Sequence, residues 1–170
     1  ELGHQVLFAN PKELERFASM VQPPPGIVLT SFSDAASLAH LLRETHPDLL
    51  LVGYWELLEL LPDKIAIPVV LDVVAPRVLE ALFQPERELA SEVRRMLNLY
   101  RKADHFLVGS ERQRHFLLPW LIMAGFAVRD HSLIDVVPIS TDFPKAGNKP
   151  APAQMLRLVS GGVDWPWRRS

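Results

Sequence analysis

The sequence has 170 residues, about one domain's worth, with 48% apolar and 22% charged residues and a formal charge of -2. That balance gives no basic face for nucleic acid, and zero cysteines exclude disulfides, thiolate zinc sites and cysteine nucleophiles. The longest apolar stretch, Phe116 to Val128, is interrupted by Pro119 and Gly125 and is too short to span a bilayer.

Six short apolar runs follow one another along the chain: His4–Ala9, Gly26–Thr30, Asp48–Gly53, Pro68–Val73, His105–Gly109 and Ile134–Pro138. They are rich in Val, Leu and Ile with little alternation, as expected of strands covered on both faces in a parallel sheet. Between the first two, Lys12 to Val21 places Leu14, Phe17, Ala18 and Val21 at helical spacing. Ser33 or Asp34 can cap a helix running to Arg43, because a short side-chain oxygen accepts from first-turn N–H groups. A long helix is expected over Pro85 to Ala103, with a stripe of Leu89, Val93, Met96, Leu97 and Tyr100. Another is expected over Glu111 to Ala124, kinked or restarted at Pro119. Strands and helices alternating at this length predict an α/β fold, a Rossmann-like, doubly wound, mainly parallel sheet with helices on both faces. A Pro-rich segment, 145–153, reads as a linker leaving a domain of residues 1–144. Residues 154–170 then read as a strand and a Gly161-Gly162 turn belonging to something further, so the chain is expected to be a piece of a longer protein.

In such sheets ligands bind beyond the carboxyl ends of the strands. The residues placed there are Asn10, Ser31, Tyr54, Trp55, Asp72 to Arg77, Ser110, Glu111 and Ser140 to Asp142. Asp72 stands out, since a carboxylate closing an apolar strand costs several kcal/mol if buried unpaired. It must reach either a partner, for which Arg77 is the candidate, or the cleft itself. Ser110 with Glu111 makes good helix-start chemistry and also the kind of helix N-terminus that can hold a phosphate. Trp55 could line the cleft or pack in the core.

Several familiar sites are absent from the sequence. No Gly-x-Gly-x-x-Gly, phosphate loop or Gly-x-Ser-x-Gly elbow occurs, and the six histidines show no metal-ligand spacing. A receiver domain would need acidic residues where Asn10-Pro11 and Gly53-Tyr54 stand. A flavin module would need a Ser/Thr-rich loop where Asn10-Pro-Lys-Glu13 stands.

Taken in order, five segments resemble the N-terminal half of GT-B glycosyltransferases of the group 1 or family 4 type. They are His46-Pro-Asp-Leu-Leu-Leu-Val52, Ile67-Pro-Val-Val-Leu-Asp72, Ala103-Asp-His-Phe-Leu-Val-Gly-Ser-Glu111, Ile134-Asp-Val-Val-Pro-Ile-Ser-Thr-Asp142 and Ser160-Gly-Gly-Val-Asp-Trp165. Asp72-Val-Val-Ala-Pro-Arg-Val-Leu-Glu80 looks like the segment that one subgroup carries after its fourth strand. The resemblance implies an enzyme that moves a hexose from a nucleotide-sugar to a glycan, lipid-linked or cell-envelope acceptor, with retained anomeric configuration. It implies no cofactor and no metal, the nucleotide-sugar being a co-substrate. Asp72 is the catalytic candidate, with Tyr54, Trp55, Arg77, Ser110 and Glu111 on the acceptor side; Gly161 and Gly162 carry over as donor-binding residues. The family's first strand and acceptor loop would precede Glu1, and a C-terminal donor domain would follow, so this piece is expected to be inactive alone. Val74 stands where many members have a cleft histidine, which leaves that role empty or with Asp72. The expected location is cytoplasmic, with peripheral contact at the inner membrane face if the acceptor is lipid-linked. The alternative is a non-catalytic binding or partner subunit on the same fold.

Overall fold

The computed structural model describes residues 3–14, 23, 25–129 and 131–138. The calls on Ser140 to Asp142, on the 145–153 linker, on residues 154–170 and on Gly161 and Gly162 therefore lie outside the described residues. So does most of the helix expected over Lys12 to Val21, of which a 3-10 turn, Lys12–Leu14, is seen.

All six expected strands form, in order: β1 Val6–Pro11, β2 Ile27–Phe32, β3 Leu50–Val52, β4 Val69–Asp72, β5 His105–Val108 and β6 Ile134–Val136. Every pairing is parallel. The fold is α/β, with parallel strands in sheets flanked by helices in the Rossmann-like manner. Among the described residues, however, the strands do not make one continuous sheet. β1 pairs with β2 alone, while the other four make a sheet ordered β3-β4-β5-β6. The expectation of a single sheet came from strand composition, which says that faces are covered and nothing about which edges meet.

Burial follows the split. In β4 and β5, Val69, Leu71, Phe106 and Val108 are essentially inaccessible and form the heart of the core with Leu117 and Leu121. Phe106 stands edge-on to both Tyr100 and Phe126, at centroid distances of 5.7 and 5.4 Å, the favoured aromatic geometry. β1 and β2 join this core only through their carboxyl halves, where Ala9 and Phe32 pack against it.

Local chemistry explains the helix ends. Helix α1, Ala35–Thr45, starts at Asp34, whose Oδ1 accepts from the Ser37 N–H at 2.8 Å while Ser37 Oγ accepts from the Asp34 N–H at 3.0 Å. It ends at His46 in the left-handed region (φ 44°), and Pro47 prevents continuation. The long helix expected over Pro85 to Ala103 is shorter: α3 spans Leu89–Tyr100, capped by the Glu88 carboxylate on the Ala90 and Ser91 N–H groups. Ahead of it lies a five-residue helix, α2, Arg77–Ala81, and after β3 a 3-10 helix, Trp55–Leu60, neither of them foreseen.

Helix α4, Glu111–Ala124, runs unbroken through Pro119, so no restart occurs there. Its end is a left-handed Gly125 (φ 94°) with the Phe126 N–H returning to the Leu121 carbonyl at 2.9 Å, which sends Phe126 back onto Phe106. Among the described residues no helix is long and apolar enough to cross a membrane.

Candidate functional site

Parallel pairing brings the carboxyl ends of β3, β4, β5 and β6 to one rim. Gly53-Tyr54, Asp72-Val73-Val74, Gly109-Ser110 and Val137 leave the sheet there, and the Val73 and Val137 N–H groups extend the ladders onto the carbonyls of Leu107 and Val108. The sequence-derived site residues can be followed one by one on this rim.

Asp72 ends β4 half-buried. Its carboxylate has no hydrogen bond or ion pair among the described residues, and burial alone raises its pKa above the usual 3.8. The partner expected for it, Arg77, is turned elsewhere.

Arg77 is the one buried charged residue of the described core, 7% exposed. Its guanidinium lies 3.5 Å from Glu80, 3.8 Å from Glu56 and 3.8 Å from Glu92, and donates to Gln84 Oε1 at 3.3 Å. Glu92 also meets Arg87 at 3.1 Å and Arg95 at 3.7 Å, and Arg95 pairs with Glu59 and with Glu56. Three guanidiniums and four carboxylates thus join the Trp55–Leu60 turn to α2 and α3. Arg77 was assigned to Asp72 on sequence proximity, and this concentration of carboxylates outbids a single one. Arg77 Nε and Glu92 Oε2 are buried without a hydrogen bond of good length, so the network is held by charge more than by directed bonds.

Trp55 is 3% exposed, with the Arg95 guanidinium 5.0 Å above its ring, a cation–π contact that ties it into the same network. It is a core residue in this structure. Tyr54, next to it, is exposed; partial burial, then Glu56 and Glu80, push its phenol above pKa 10, so it remains a protonated donor at neutral pH. Ser110 caps α4, its Oγ accepting from the Gln113 N–H at 3.3 Å, and Gln113 Oε1 accepts from the Gly109 N–H at 2.6 Å. Glu111 pairs with Arg114 at 3.6 Å on the surface. Both residues act as helix-start chemistry, and the loop N–H group at Gly109 is already taken.

The rim that results has an unpaired, partly desolvated carboxylate at Asp72 and a phenol at Tyr54, with the capped start of α4 beyond. Such a pair can accept from and donate to hydroxyl groups of a polar ligand. A shallow groove of about 300 Å³ lies on the opposite rim, between the end of α1 and the segment before β4, lined by Leu42, Arg43, His46, Lys64 and Ile65. We take the carboxyl rim as the candidate site, because a partly desolvated carboxylate stands there at the strand ends, where ligands of such sheets bind, whereas the groove is open and mostly apolar. Sequence reasoning missed the Arg77 network, and only the density of Glu and Arg between 56 and 95 could have hinted at it.

Two outcomes are expected. Arg77→Leu should destabilise the chain by about 3–5 kcal/mol in urea unfolding, the usual cost of removing one partner from a buried ion network; a loss under about 1 kcal/mol would show that the network is a surface cluster. An acid whose folded-state pKa is raised contributes most stability below its unfolded value and loses it as pH climbs through the raised value. Asp72→Asn should therefore unfold at a higher temperature than the parent at pH 7, with the difference closing near pH 3, where both forms are neutral. A difference that did not change with pH would mean that the carboxylate is fully solvated.

No protein-family model, no curated protein and no solved structure matches this chain.

Proposed function

We propose that the chain is the acceptor-side part of a glycosyltransferase, one that moves a sugar from a nucleotide-sugar to a glycan or lipid-linked acceptor. The observation that carries this reading is Asp72, a partly desolvated carboxylate without a partner among the described residues, at the carboxyl end of β4. Beside it stands the ordered set of segments that resemble the GT-B family. In the transfer, the acceptor hydroxyl oxygen forms a bond to the anomeric carbon, the nucleoside diphosphate departs with the bonding pair, and the hydroxyl proton passes to a departing diphosphate oxygen. Asp72 would accept the hydrogen bond of that hydroxyl and fix its direction, with Tyr54 supplying a donor at the cleft mouth. By the same resemblance, the backbone N–H groups of Gly161 and Gly162 would meet the diphosphate. No metal and no further cofactor is part of this proposal, and the location proposed is cytoplasmic, with peripheral contact at the inner membrane face if the acceptor is lipid-linked.

A second reading, a non-catalytic partner subunit on the same fold, is favoured by how much of the expected cleft is spent on structure. Arg77 and Trp55 are buried in the ion network, and Ser110 is a helix cap.

The test is a panel of nucleotide-sugars offered to the full-length gene product, with and without acceptor lipids or glycans, reading free nucleotide. Turnover with one donor, cut more than tenfold by Asp72→Asn without loss of fold, is the expected result. Asp72→Asn activity within twofold of the parent would remove Asp72 from the site. Silence across all donors from a folded protein would favour the partner-subunit reading.

A further inference from the structure

We infer that the groove on the opposite rim is a docking site for an acidic peptide segment of a partner protein, one whose apolar residues are flanked by Asp or Glu. The inference rests on charge and on unused backbone, and it does not depend on the glycosyltransferase reading. The groove has a volume of about 300 Å³ and lies between the end of α1 and the segment before β4. Leu42, Ile65 and Ile67 make it apolar, and Arg43, His46 and Lys64 stand around them. No carboxylate lines it. A volume at the low end of small-molecule pockets, open on one side, gives room for side chains rather than for a wholly enclosed ligand.

The cations are what give the groove a preferred occupant. Elsewhere in the chain Arg77, Arg87, Arg94, Arg95, Lys102 and Arg114 each meet a carboxylate. Among the described residues the side chains of Arg43, His46 and Lys64 make neither an ion pair nor a hydrogen bond. Arg43 and His46 come from the α1 side and Lys64 from the facing segment. Three acidic residues are near in sequence, but Asp63 is engaged by Lys102 at 3.3 Å, and Glu44 and Asp48 do not line the groove. Cations on both walls of an apolar strip complement a ligand that carries carboxylates beside its apolar groups, and they repel a basic one.

The backbone of one wall favours a peptide over other anions. From Asp63 to Ile67 no N–H donates and no carbonyl accepts a hydrogen bond among the described residues. A peptide laid along such a segment can pair with these groups, which supplies affinity while the groove and its charges supply specificity. A bilayer surface would offer them no matching main chain, and a concave strip between charged walls is not the protruding apolar face that inserts into lipid.

The experiment selects a displayed library of random eight-residue peptides on the full-length gene product, with the double variant Arg43→Glu, Lys64→Glu as the comparison. Both residues are exposed, so the variant should keep the parent's thermal unfolding. Peptides enriched on the parent should carry Asp or Glu beside apolar residues, and a synthetic copy of the strongest should bind the double variant about tenfold more weakly. The same peptide should slow amide exchange at Asp63 to Ile67 and leave Tyr54, Val73 and Ser110 unchanged, which separates this groove from the carboxyl rim. No enrichment, enrichment of basic or neutral peptides, equal binding to the double variant, or protection confined to another surface would each overturn the inference. Amides 63–67 protected in a dimer and released on dilution would overturn it by assigning the groove to a second copy. Binding to anionic vesicles that the double variant loses, with no peptide enriched, would overturn it in favour of a membrane.

Discussion

Every strand pair among the described residues is parallel, and the rest of the structure follows from that constraint. A parallel ladder cannot be closed by a tight turn, so each strand must be followed by a crossover that returns the chain to the same end of the sheet. The crossovers supply the cover that turns Val69, Leu71, Phe106 and Val108 into a core. They also put the carboxyl ends of β3, β4, β5 and β6 on one rim, so that residues far apart in sequence, Tyr54, Asp72 and Ser110, come to share one surface. The fold thereby creates a place for a ligand before any particular side chain is chosen.

What the rim can do is decided by which charges are already spent. Arg77 begins α2 just beyond β4, close in sequence to Asp72, yet the carboxylates of Glu56, Glu80 and Glu92 hold it. Replacing the whole network by apolar groups would cost the protein little in principle, but removing one member strands the others. Its effect on the site is indirect: it fixes the Trp55–Leu60 turn against α2 and α3, and leaves Asp72 on the rim without a partner among the described residues. A structural knot and an unsatisfied acid a few residues apart make a division of labour, one rigid and one available.

The strands were legible in the sequence because a run such as Val69-Val-Leu71 has no other economical use, and the caps at Asp34 and Ser110 because their chemistry is local. The short helical pieces after β3 and β4 were not legible. Trp55-Glu-Leu-Leu-Glu-Leu60 and Arg77-Val-Leu-Glu-Ala81 are too short for a periodic signal and are held by charges contributed from elsewhere. The start of α3 moved from Pro85 to Leu89 because Glu88 can cap with its own carboxylate, a role that residue takes less often than Ser or Asp. Pro119 was expected to kink or restart α4; no restart occurs, because a proline costs a helix one hydrogen bond and a steric clash, and burial of Leu117 and Leu121 on either side outweighs that. Two of Arg77's partners, Glu56 and Glu92, lie 15 or more residues away in sequence, a distance at which charge pairing cannot be read without the fold. Of the site, Asp72 was readable as a carboxylate in need of company; that its company is not Arg77 was not.

The most direct measurement is an amide hydrogen-exchange map of the full-length gene product with and without nucleotide-sugars and free or lipid-linked glycan acceptors. A ligand seated on the carboxyl rim slows exchange at Gly53-Tyr54, at Val73 to Ala75 and at Gly109-Ser110, and leaves the segment from Pro62 to Ile67 unchanged. Protection confined to Pro62–Ile67 and the end of α1, with the rim untouched, would contradict the placement of the site at Asp72.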